Sequence, residues 1–169
     1  MGKWLDMRGP VVADTVYDSG VLVAKDVSFK LPGIVSETAD LQAMGTMSVP
    51  IIGRLEDMEL TITKIGEDRG LRAMNGLDPH RLEFRWVQSV TKADGSQVQE
   101  GCKAFVRTMP ASSPDFEISP GETSEHEVTY KVTRMEIFIN GTQYLLVDRL
   151  SQQLVVAGKD YMSTINRLL

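Results

Sequence analysis

The dipeptide Asn140-Gly141 constrains the fold of this chain more than any other feature. It divides "EIFINGTQYLLV", Glu136 to Val147, into two apolar and β-branched runs. A two-residue type I′ turn needs φ > 0 at both central residues, and Asn-Gly tolerates it. Two antiparallel strands follow, with their register set by the turn. Ile139 then faces Thr142, Ile137 faces Tyr144 and Met135 faces Leu146. On the other face Phe138 meets Gln143, and Glu136 meets Leu145. Upstream, Val128, Tyr130 and Val132 keep even parity, whereas Met135, Ile137 and Ile139 are odd. The parity change predicts a β-bulge near Thr133-Arg134. In this register Phe138, Leu145 and Val147 lie opposite Ile137 and Tyr144, so both faces are apolar. A sheet apolar on both faces is covered on both, and the second cover is expected to come partly from outside the chain.

Alternation of period two recurs along the sequence. Gly20 to Leu31 reads as a strand marked by Leu22, Ala24 and Val27. Arg54 to Ile65 sets Leu60 and Ile62 against Thr61 and Thr63. Arg81 to Thr91 puts Leu82, Phe84, Trp86 and Val90 on one face, and Glu83, Arg85 and Ser89 on the other. After a turn at "KADGSQ", Val98 to Met109 alternates through Cys102, Ala104 and Val106. Helical signals are short. "GEDRGLRAMNG" has Leu71 and Met74 three apart and Gly76 at a C-cap position, although Gly70 lowers its helix propensity. Near the end, Asp160 is placed to cap a helix with Tyr161, Met162, Ile165, Leu168 and Leu169 on one face. Ser36 to Pro50 reads as a loop with one helical turn over Ser36 to Gly45, and Met109 to Glu125 as a second loop with three prolines. No repeat or linker divides residues 1–169, which predicts one domain.

Composition narrows the function classes. The chain has 169 residues, 42% of them hydrophobic, enough for a core. Its net charge of -5 argues against a protein that grips phosphate backbones. The one cysteine, Cys102, forms no internal disulfide and reads as a small buried residue. "MGKWLDMRGPVV" holds no apolar run like a signal peptide, and Asp6 breaks the myristoylation pattern. Folding is expected in a reducing cytoplasm, where Asn140-Gly141-Thr142 is turn chemistry rather than a glycosylation acceptor.

No catalytic constellation stands out. His80 follows Pro79 in a turn, His126 lies between Glu125 and Glu127, and both are expected at the surface without a metal-ligand partner. Nucleophile-elbow, phosphate-loop, dinucleotide and calcium-loop patterns are absent. The acid clusters Glu56, Asp57 and Glu59, Asp115 and Glu117, and Glu125 and Glu127 read as solvated faces. A hydrolase using two of Glu56, Asp57 and Glu59 would need burial to separate their pKa values. Leu41, Met44 and Met47 fit either a loop folded over its own core or one that offers apolar contacts to another subunit.

The order of these elements resembles the major tail tube protein of contractile phage tails, over nearly the whole chain. The carrying segments are "VSFKLPGI" (Val27 to Ile34), "LQAMGTMSVPI" (Leu41 to Ile51) and "GRLEDMELTITKIG" (Gly53 to Gly66). They continue with "PGETSE" before a long strand, "VTYKVTRMEIFINGTQYLLVDRL" and "VAGKDYMSTINRLL". Residues 1–15 fall outside the pattern. The resemblance implies a mainly β fold, an antiparallel β-barrel or sandwich with one short flanking helix and a C-terminal helix. It implies no enzyme, no cofactor and no metal. It implies hexameric rings stacked into a hollow tube, inside a sheath protein, between baseplate and tail-terminator proteins. DNA or an effector would pass through the lumen without specific binding. Such a tube would sit in a virion tail and be assembled in the cytoplasm of a host bacterium. Leu41, Met44 and Met47 would contact the neighbouring ring. The hairpin carrying Phe138, Asn140, Gly141, Leu145 and Val147 would lie at a subunit interface or line the lumen. The alternative is a monomeric ligand-binding β-barrel with a closed apolar cavity.

Overall fold

The computed structural model of the chain describes residues 6–169, so residues 1–5 of the N-terminal segment lie outside it. The strands are β1 (Met7–Asp18), β2 (Val21–Lys25), β3 (Ser28–Lys30), β4 (Ser36–Gln42), β5 (Thr46–Leu55), β6 (Glu59–Ile65), β7 (His80–Thr91), β8 (Gln97–Pro110), β9 (Glu125–Ile139), β10 (Thr142–Asp148), β11 (Gln153–Val156) and β12 (Lys159–Asp160). The helices are α1 (Arg69–Met74) and α2 (Ser163–Leu168). The main sheet runs β12-β11-β10-β9-β8-β7-β1-β2, with β6 also on β9 and β3 on β6. All pairings are antiparallel. The fold is therefore mainly β with two short helices, a sandwich rather than a closed barrel.

The long strand β9 makes the two layers. Its first half pairs with β6, from Glu59↔Lys131 to Ile65↔Glu125, and its second half pairs with β10. The predicted bulge lies between them. β8 pairs Arg107 with Arg134 but Thr108 with Val132, leaving Thr133 as the extra residue. A bulge bends its strand and shifts its facing by one, so Val132 and Met135 both point into the core. The strand thus leaves β6 and joins β10 where its parity changes.

On the opposite side, Gly20 to Leu31 is two strands rather than one. Asp26 takes φ 50 and bends the run, and the Asp14 carboxylate accepts from the Val27 N–H at 3.0 Å. β2 then pairs with β1, while β3 crosses to β6. This places Phe29 of β3 over Phe84 and Trp86 of β7, at ring separations of 4.6 and 5.8 Å. The bend also corrects the facing of β2. Val23, Ala24 and Val27 are buried and Leu22 is exposed. The core between the layers includes Leu60, Ile62, Phe84, Val106, Val128, Tyr130 and Met135.

The helix α1 closes one end. Asp68 caps it by accepting from the Leu71 N–H at 2.9 Å, and Leu71 and Met74 are buried. Gly70 is required by packing, since a Cβ there would stand 1.8 Å from the Val23 carbonyl oxygen of β2. The Tyr130 hydroxyl donates to the Met74 carbonyl and ties α1 to β9. Burial raises the Tyr130 pKa.

Three further expectations are corrected. Ser36 to Pro50 is not a loop with a helical turn but most of the β4–β5 hairpin, a two-stranded sheet of its own. The β9–β10 hairpin has the expected turn, with Asn140 at φ 48 and Gly141 at φ 79, but a different register beyond Gln143. Leu145 pairs with Ile137 and Val147 with Met135, because Tyr144 is bulged out. Leu145 and Val147 therefore join Met135 in the core instead of facing away from Ile137. In α2 only the preceding Met162 is buried, while Leu168 and Leu169 are exposed. The packed face ends there because the helix is six residues long.

Candidate functional site

Both histidines are buried, against expectation. His80 is held by Asp18 Oδ2 at Nδ1 and the Gly76 carbonyl at Nε2, each at 2.7 Å. His126 is held at Nε2 by Glu67 Oε1 at 2.8 Å, with Phe116 against its ring. That bond, more than the charge, lowers the Glu67 pKa. The sequence hid both because their carboxylate partners lie far along the chain. Both serve as packed connectors between loop and strand.

The acid clusters are not arranged for general acid/base work. Lys131 donates to Asp57 Oδ2 at 2.8 Å and also to Glu59. The Asp57 pKa falls, first through that hydrogen bond and then through the lysine charge. A hydrolytic pair needs one carboxyl pushed up by burial, and here Glu56, Asp57 and Glu59 are all exposed. Asp115, Glu117, Glu125 and Glu127 are exposed as well. Among the described residues no three His, Cys, Asp or Glu side chains gather to hold a metal ion. Cys102 is buried, and burial pushes its thiol pKa up.

What the molecule presents is surface. The β4–β5 hairpin projects as an arm, and none of its strand residues is buried. Leu41 is 53% exposed, Met47 48%, and Met44 at the tip is fully open. The root of the arm is held firmly. Arg149 donates to the Glu56 and Leu55 carbonyls at 2.9 and 3.0 Å, and the Glu56 N–H reaches the Val35 carbonyl at 2.8 Å. Gly53 sits with φ +92 under Met162, where a Cβ would lie 2.9 Å from the thioether sulfur. Beside the root, an open cleft of about 440 Å³ is lined by Ile52, Leu55, Arg149, Met162 and Ile165.

The second surface is the outer face of the main sheet. The strand register aligns Arg81 with Arg107 and Arg107 with Arg134. The adjacent row holds Glu83, Phe105 and Glu136, and the next Arg85, Lys103 and Phe138. Phe105 and Phe138 pack edge to face at 6.0 Å. The rows were not legible in sequence, because Arg134 aligns with Arg107 only through the Thr133 bulge. Of the hairpin residues expected at an interface, Phe138 is half-buried on this face and Asn140 and Gly141 are exposed. Leu145 and Val147 lie inside.

A mainly β sandwich with these two exposed surfaces is consistent with what comparison finds. The family of phage tail tube protein FII matches residues 12–169. The chain belongs to this tail tube family. The match takes in both surfaces and leaves out residues 1–11, of which Met7 to Val11 are the start of β1. Two solved structures are similar to it, each at 17% identity and a TM-score of 0.49 over 77% of this chain. One is a chain of the sheath–tube complex of an extracellular contractile injection system, PVC, in the extended state, covered over 90% of its length. The other belongs to the sheath/tube terminator of that system and is covered over 96%. Curated proteins give no match. The family assignment of this tail tube protein rests on a match along nearly the whole chain and not on any single side chain.

Proposed function

We propose that this tail tube protein joins copies of itself into six-fold rings that stack as the inner tube of a contractile tail or a phage-tail-like particle. The observation that carries the reading is the arm. It is anchored at its root and exposes Leu41, Met44, Met47 and Ile52, yet its own subunit buries none of its strand residues. An exposed apolar hairpin is a liability that a covering neighbour removes. Leu41, Met44 and Met47 contact the next ring in this reading, and Phe138, Asn140 and Gly141 face a neighbour or the lumen. The chain acts as one structural unit and not as an enzyme. A sheath surrounds the tube, a baseplate starts it and a terminator ends it. DNA or an effector passes through unheld, consistent with the net charge of -5. The tube belongs to the tail of the particle and is assembled in the host cytoplasm.

Electron microscopy of the purified protein tests this. Rings or tubes are expected as protein concentration rises, or on addition of a baseplate initiator. A particle that stays monomeric at every concentration and does not extend the initiator overturns the proposal.

A further inference from the structure

We infer that the arginine row on the outer face of β7, β8 and β9 docks the acidic segment 115–127 of a second copy of this chain. The inference rests on the self-assembly proposed above and names a contact within it.

Three arginines stand directly opposite one another across adjacent strands, and like charges so placed repel. Arg134 is relieved by Glu136 at 3.3 Å and Asp148 at 3.6 Å. Among the described residues Arg81 and Arg107 make no ion pair. They border an open cleft of about 450 Å³ whose lining includes Phe105 and Phe138. A chain with five more acidic than basic residues thus keeps two uncompensated arginines of this row beside an aromatic floor.

The complementary chemistry lies elsewhere on the same molecule. Segment 115–127, "DFEISPGETSEHE", carries five carboxylates at Asp115, Glu117, Glu122, Glu125 and Glu127. All five are exposed, and none makes an ion pair among the described residues. Between and beside them, Phe116 is 58% exposed and Ile118 64%. Acids alternating with apolar side chains match cations that flank two aromatic rings. Within one subunit the two surfaces make no ion pair with each other. Two different patches that meet between copies form a heterologous contact, the kind that closes rings or propagates filaments.

Charge exchange tests the contact. Arg81→Glu with Arg107→Glu, and separately Glu117→Lys with Glu122→Lys, are expected to raise the protein concentration at half-assembly by about tenfold or more, read by sedimentation. All four changes together should restore assembly to within about threefold of wild type. The cationic-row variant should melt no lower than wild type as a dilute monomer, since one repulsion has been removed. Assembly of either double variant at the wild-type concentration overturns the contact, as does a fourfold variant without rescue. Wild-type protein that retains DNA through the row, with assembly unaffected by Arg81→Glu and Arg107→Glu, also overturns it. Wild-type tubes with indifferent variants defeat this contact alone, whereas a wild type that never assembles defeats the tube reading itself.

Discussion

The β9–β10 hairpin turns at Asn140-Gly141 and the β4–β5 hairpin turns around Met44-Gly45, each using two residues at positive φ. Their strands then differ completely. β9 is paired on both sides and sends Val128, Tyr130, Val132 and Met135 into the core. β4 and β5 pair only with each other, and none of their residues is fully buried. A hairpin gains stability from the face it covers rather than from its turn, and an isolated two-stranded hairpin is marginal in water. The embedded hairpin belongs to the cooperative fold. The arm is a passenger on the fold, tied down by Arg149, Gly53 and Met162, and open to whatever it meets.

The largest test of this contrast is truncation in the core. Met135→Ala is expected to lower stability by about 2–5 kcal/mol in urea unfolding, because it leaves a cavity between layers. Ile52→Ala in the arm is expected to cost no more than about 0.5 kcal/mol. Equal losses would show the arm to be part of the cooperative unit. A smaller test uses the turns. Gly141→Ala forces a Cβ into the left-handed region at φ +79 and should cost about 1–2 kcal/mol of global stability. Gly45→Ala at φ +116 imposes a similar local strain. Its midpoint should not move, because the arm opens locally while the sandwich stays folded.

The same contrast explains which parts were legible in the sequence. Leu60 and Ile62, Leu82 and Phe84, and Cys102 and Ala104 alternate because one face of each strand meets the chain's own core, so their strands could be read directly. The bulge at Thr133 was readable from parity alone. The arm was not. Leu41, Met44 and Met47 face no core of their own, so their spacing carries no period and looks like a loop. The Tyr144 bulge was also hidden, because both faces of that strand offer apolar residues and either register satisfies the pattern. Gly70 is the opposite case. By helix propensity it argued against α1, yet the helix can lie against Val23 only because that position lacks a Cβ. The surfaces were least legible, since the Arg81, Arg107 and Arg134 row exists only once three registers are known.

Acid should distinguish the two regions by a smaller effect. Lys131 lowers the Asp57 pKa beside the arm root. A carboxyl depressed in the fold adds stability above its unfolded value and loses that contribution as pH falls through the folded one. The contribution should therefore be complete at neutral pH and decline below about pH 4. Asp57 is exposed, so the effect is local. Hydrogen exchange of the Glu56 and Asp57 amides should accelerate below that pH, beyond the intrinsic dependence, while β9 amides stay protected. Lys131→Met should remove the difference. Retained acid sensitivity in that variant would assign the root's stability to Arg149 instead.

The smallest expected change in stability accompanies the largest expected change in assembly. Leu41→Asp with Met44→Asp places two charges where the side chains already face water, so the unfolding midpoint should shift by no more than about 0.5 kcal/mol. Arm strands that need no burial inside the subunit should tolerate them. If the arm reaches the neighbouring ring, those charges are buried there without partners, and burying an unpaired charge is costly. Single rings should then form normally and fail to stack, visible as rings without tubes by electron microscopy. Normal tubes would remove the arm from the stacking contact. A subunit destabilised by several kcal/mol would instead show that the arm folds back on its own core in solution, and the distinction between the two hairpins would fall with it.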